Sequence, residues 1–144
     1  MTTTISPDTK IVTGPNLFQH SLRAVAPFHA TYFFTGTAAA TNQAFFVAPN
    51  NCQIVDISEV HSAAAGGTST LTVQKDTGTT APGSGTDVMS NSFNLNGTAN
   101  TTQTATLKTD GTATLAAGDR LSVKFANAIQ SSTGVVVTVW MVAA

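Results

Sequence analysis

The segment Gly134-Val135-Val136-Val137-Thr138-Val139-Trp140-Met141-Val142 limits the fold more than any other part of this chain. Successive residues of a strand point to opposite faces, so Val135, Val137, Val139 and Met141 share one row and Val136, Thr138, Trp140 and Val142 the other. β-Branched side chains dominate both rows and favour a strand over a helix. The run is far below the roughly 18 residues of a membrane span. A strand this apolar on both faces is covered on both. In an antiparallel sandwich one cover is the second sheet, and the other is either a neighbouring subunit or an N-terminal arm of the same chain.

The rest of the chain from about residue 29 fits around such a strand. Residues 30–35 and 44–47 are aromatic-rich runs, the second stopped by Pro49-Asn50-Asn51. Cys52 to Ser62 alternates imperfectly, and the adjacent apolar pair Ile54 and Val55 points to a bulge or to burial on both faces. Leu71, Val73 and Lys75 alternate with Thr70, Thr72 and Gln74. Residues 76–86 hold Gly78, Pro82, Gly83 and Gly85 with no large apolar side chain, and read as an exposed loop. Val88 to Leu95, 102–108, 112–115 and 121–125 read as further strands. They are divided by Asn96-Gly97, a pair that tolerates positive φ, and by the Asp110-Gly111 and Gly118-Asp119 turns. Eight or nine strands with a turn every 8 to 12 residues predict an all-β antiparallel sandwich or barrel over residues 29–144.

Residues 1–28 differ. Three of the five prolines fall here, and Ile5, Ile11, Val12, Leu17, Phe18, Leu22 and Val25 are scattered without sustained alternation. This stretch reads as an arm that packs on its own body, a sister subunit or a partner. Asn16 to Ala26 could form a short helix, with Asn16 as N-cap and Pro27 as its stop. No basic start followed by an apolar run marks a signal peptide.

Charge is scarce: Lys, Arg, Asp and Glu make up 9% of the chain, and the net charge is −1. A typical soluble domain carries about 25%. The balance excludes the basic footprint of a nucleic-acid or anionic-membrane binder. At 42% hydrophobic with eight Phe, the chain is not of the disordered class. Instead of charge it has 26 threonines with much Ala, Ser, Asn and Gly. Hydroxyls and methyls are less costly to desolvate than unpaired ions, so this composition suits strand faces that meet other protein.

Candidate chemistry is sparse. Glu59 and His61 share a face, with Asp56 on the other unless a bulge intervenes, and one strand supplies too few groups for a metal or acid/base site. They read as polar groups on a solvent or subunit face. His20, His29 and His61 lack zinc spacing, and Cys52, the single cysteine, reads as a small hydrophobe at a strand start. The glycine-rich loop lacks the Lys-Ser/Thr and helix of a phosphate cradle. The reading expects no catalytic residue, no cofactor and no metal ligand set. Trp140 and Tyr32 suit core or interface packing better than a sugar platform.

Ala44-Phe45-Phe46-Val47-Ala48-Pro49, Leu71-Thr72-Val73-Gln74-Lys75-Asp76, Leu115-Ala116-Ala117-Gly118-Asp119-Arg120-Leu121-Ser122-Val123 and Val135-Val136-Val137-Thr138-Val139-Trp140 together resemble β-sandwich domains of tailed-bacteriophage virion proteins. Small capsid decoration (cement) proteins are the most similar. The resemblance spans roughly residues 43–142 and implies a non-enzymatic, commonly trimeric jelly roll. On that basis the expected protein is made in the host cytoplasm and sits on the capsid surface as a homotrimer bound to the major capsid protein, with neither nucleic acid nor membrane as partner. Its interface candidates are Ile11, Val12, Leu17, Phe18, Leu22, Val25, Glu59, His61 and Trp140. A carbohydrate-binding or adhesin module of a tail or head fibre is the alternative.

Overall fold

The computed structural model describes residues 26–35, 41–127 and 132–144. Residues 1–25 of the expected arm, with all but the last residue of its short helix and the interface candidates Ile11, Val12, Leu17, Phe18, Leu22 and Val25, lie outside the described residues. Phe28, expected as the arm's last residue, instead opens the first strand of the sandwich and pairs with Met141. Ten strands follow in order: β1 (Phe28–Phe34), β2 (Gln43–Val47), β3 (Cys52–Val60), β4 (Thr70–Asp76), β5 (Thr86–Asp87), β6 (Phe93–Asn94), β7 (Gln103–Thr104), β8 (Thr114–Leu115), β9 (Arg120–Ala126) and β10 (Val135–Ala143).

They form two antiparallel sheets. The first runs β1-β10-β3-β7 with β8 also on β3, and the second runs β2-β9-β4-β5 with β6 also on β4. The pairing is nested: β1 with β10, β2 with β9, β3 with β7 and β8, β4 with β5 and β6. A long hairpin folded over on itself produces this order, which is that of the expected jelly roll.

The core lies between the sheets. Val135, Val137, Val139 and Met141 of β10 are fully buried and face Leu71, Val73, Leu121 and Val123 of the second sheet's inner rows. Burying each such side chain stabilises the fold by about 1.5–3 kcal/mol. The edge between β1 and β2 is closed by rings: Phe28 meets Phe46 at 6.3 Å, Tyr32 meets Phe45 at 5.9 Å, and Phe125 lies 6.1 Å from Tyr32. A register shift between Ala44 and Phe46 lets the consecutive Phe45 and Phe46 both reach rings of β1. Cys52 opens β3, buried, with its sulfur 4.0 Å from that of Met141.

Two local departures from the sequence reading have physical causes. The expected strand from Val88 to Leu95 survives only as the two-residue β6, with the two-residue β5 ahead of it in what reads as loop, because Val88 and Met89 are both buried in succession and break alternation. The runs 102–108 and 112–115 shrink likewise to β7 and β8. At Asn96-Gly97 the chain does turn, but Gly97 does not take the left-handed conformation; Asn96 instead fastens the preceding loop, donating to the Ala65 carbonyl at 2.6 Å and accepting from the Ser69 amide. Gly111 and Gly118 do take it, at φ 83° and 90°.

Candidate assembly surface

The outer face of the first sheet is laid out by register. Phe33, Val136 and Val60 form one row across β1, β10 and β3; Thr31, Thr138, Ser58 and Thr104 form the next; His29, Trp140 and Asp56 the third. Val142 and Gln53 complete it. Phe33 is 60% exposed, Val55 46% and Trp140 37%. The bulge foreseen at Ile54 and Val55 is present: Met141 pairs with Ile54 and Trp140 with Asp56, so Val55 and Asp56 both turn outward. The His29 and Trp140 rings are 4.9 Å apart. Among the described residues of these rows, Asp56 is the only carboxylate, and Lys, Arg and Glu are absent. Isolated exposed hydrophobics are ordinary, whereas an apolar and hydroxyl-bearing face almost without charge is of a kind that suits contact with other protein.

Trp140 belongs to that surface; Glu59 and His61 do not. The expectation that they occupy a solvent or subunit face is corrected by their burial, 1% and 0% exposed. The bulge puts them on the inner row with Ile54 and Ile57, where they build a closed network. His61 Nδ1 lies 3.0 Å from Glu59 Oε1, and His61 Nε2 lies 3.2 Å from the Gly97 carbonyl. A carbonyl only accepts, so Nε2 carries hydrogen, and the contact to Glu59 then needs a further proton shared by the pair. Gln103 donates to Glu59 Oε2 at 2.8 Å and to the Asn94 carbonyl at 2.9 Å, while its Oε1 accepts from the Asn94 amide. The network ties the 94–104 segment to β3. Burial pushes the Glu59 carboxyl up, against the pull of hydrogen bonds and charge from His61 and Gln103.

The remaining chemistry is modest. Among the described residues no group of three or more His, Cys, Asp or Glu could hold a metal ion. A cleft of about 360 Å³ between β3 and the 107–114 segment has Lys108 as its one ionisable lining residue. Burial raises the Cys52 thiol, with Asp119 adding to the effect.

No protein-family model matches the chain, and no curated protein matches it. One chain of a solved structure, the cyanophage Pam1 capsid asymmetric unit, aligns over 100% of both chains with a TM-score of 0.53 and 15% identity. The likeness is one of fold. It covers the whole jelly roll described above, including the stretch of two-residue strands.

Proposed function

We propose that this chain is a non-enzymatic structural protein of a phage virion, a decoration or cement protein that docks on the capsid lattice as a homotrimer and stabilises the head. The observation that carries the reading is the nearly uncharged outer face of the first sheet. Its rows of Val, Thr, Phe and Trp suit burial against protein. The full-length likeness of fold to a chain of a phage capsid supports the same setting. A standard interface needs about 800 Å² from each partner, and three linked subunits multiply weak lattice contacts by avidity. In this reading residues 1–28 bridge to the major capsid protein or to sister subunits.

The test is the solution mass together with co-sedimentation on undecorated capsids. A species of three times the 14.7 kDa chain mass that pellets with capsids is expected. Deleting residues 1–25, which leaves β1 whole, should abolish pelleting. A monomer that stays in the supernatant would overturn the proposal.

The exposed His29–Trp140 pair beside Asp56 favours a second reading, a saccharide-binding module, since an aromatic face next to a carboxylate can stack on and hydrogen-bond a sugar. A glycan array separates the two: hits lost in Trp140→Ala support it, and a blank array removes it.

A further inference from the structure

We propose that the outer face of the second sheet, beneath residues 77–86, binds one divalent, oxygen-coordinating cation of the calcium class. The proposal concerns a face and residues separate from the assembly surface and does not depend on that reading.

The register assembles the ligands. Gln74 of β4 lies opposite Ser122 of β9 on one side and Asp87 of β5 on the other, and Asp76 follows two residues along on the same face. Gln74 Nε2 donates to Asp87 Oδ1 at 2.6 Å, which leaves Gln74 Oε1 free. Gln74, Asp76 and Ser122 are 2%, 0% and 0% exposed. Yet Gln74 Oε1, both carboxylate oxygens of Asp76 and Ser122 Oγ have no hydrogen-bond partner.

The cover is built from the loop. Arg120 Nη2 donates to the Thr80 carbonyl at 2.7 Å, Gly83 lies against the Asn42 side chain, and Gly85 packs directly on the Asp76 carboxylate, where any Cβ would collide with Oδ1 and with the Lys75 carbonyl. Arg120 stands opposite Asp76 in the ladder and could have neutralised it. It is not within ion-pair distance of Asp76: its Nη2 reaches Thr80, and among the described residues the one ion pair is that of Glu59 and His61.

A buried carboxylate without partner is among the costliest groups a fold can hold. One trapped water does not remedy this, because its two hydrogens serve only two of the three acceptor-only oxygens, Gln74 Oε1 and the two of Asp76, and leave the charge in place. A cation satisfies all four together. Carboxylate, amide-carbonyl and hydroxyl oxygens without nitrogen or sulfur are the ligand chemistry of calcium, and Asp87 supplies a second carboxylate to balance a double charge.

The experiment uses the full chain, stripped with chelator and dialysed. Isothermal titration with CaCl₂ should give one site per chain, and Tm should rise by roughly 5–10 °C at about a hundredfold excess over Kd. Asp76→Asn should lose the binding and, freed of the buried charge, melt above the stripped wild type. Ser122→Ala, which leaves every other ligand in place, should fold normally and weaken binding about tenfold, so the test stands even if the Asp76 variant fails to fold. MgCl₂ in place of CaCl₂ should give the smaller shift. No heat and no Tm change with either ion, or Ser122→Ala binding as tightly as wild type, would overturn the proposal.

Discussion

Two polar clusters are buried in this domain, one between the sheets and one on the outer side of the second sheet, and they are held in opposite ways. Around Glu59, each polar side-chain atom finds a partner: His61 is gripped at both ring nitrogens and Gln103 at both ends of its amide. Around Asp76, four oxygens have none. The first cluster is a lock between β3 and the 94–104 segment that the protein completes by itself. The second holds three acceptor oxygens and one hydroxyl on a shared face, none of them partnered within the chain, which is the imbalance that the proposed cation would relieve. Burial alone therefore does not say whether a polar group is structural; the balance of donors and acceptors around it does.

The comparison can be broken most directly at Glu59. Truncation to Ala leaves His61 and Gln103 buried without their partner and should cost about 3–5 kcal/mol, measured by urea unfolding. A loss under about 1 kcal/mol would erase the distinction between the clusters. Gly85→Ala probes the second cluster from above. Forcing a methyl against the Asp76 carboxylate and the Lys75 carbonyl should cost about 1–3 kcal/mol, whereas Gly111→Ser, at a site with nothing near a new Cβ, tests φ strain alone.

A pH series sharpens the contrast further. The folded state raises the Glu59 carboxyl, so it retains a proton that the unfolded chain gives up first. That contribution is complete below the ordinary carboxylate range and is lost as pH rises through the raised folded value. Urea midpoints of the wild type should accordingly fall relative to those of Glu59→Gln as pH rises above about 4.3. Parallel profiles would refute the role given to burial. The smallest effect belongs to the outer face of the first sheet: Thr138→Lys should change the stability of the isolated subunit by no more than about 0.5 kcal/mol, while the sedimentation assay loses the assembled species.

Much of the sandwich was legible in the residues because one rule, alternation, governs its long strands. Val135 to Met141 reads inward and outward as it folds, and the bulge announced by Ile54 and Val55 is where the register slips. Alternation also put Glu59 and His61 on one face, but it does not say which face is inside, and their charge suggested the wrong one. The stretch from Val88 to Leu115 was over-read as strands, since pairs such as Val88 and Met89 are buried through bridges and turns that carry no period. The Asp76 cluster was hidden for a different reason. Thr70, Thr72, Gln74 and Asp76 form an ordinary solvent row until the loop that follows directly, residues 77–86, folds back so that Gly85 packs on Asp76, and the path of that loop is held by contacts to Arg120 and Asn42 that no local pattern announces.

The nested pairing also has a temporal side. Because β1 is hydrogen-bonded to β10 and, among the described residues, to no other strand, Phe28–Phe34 finds this neighbour only after residues 135–143 have been synthesised. During translation the aromatic edge of the sandwich must wait unpaired, so slow, strongly non-local folding is built into the order of the strands.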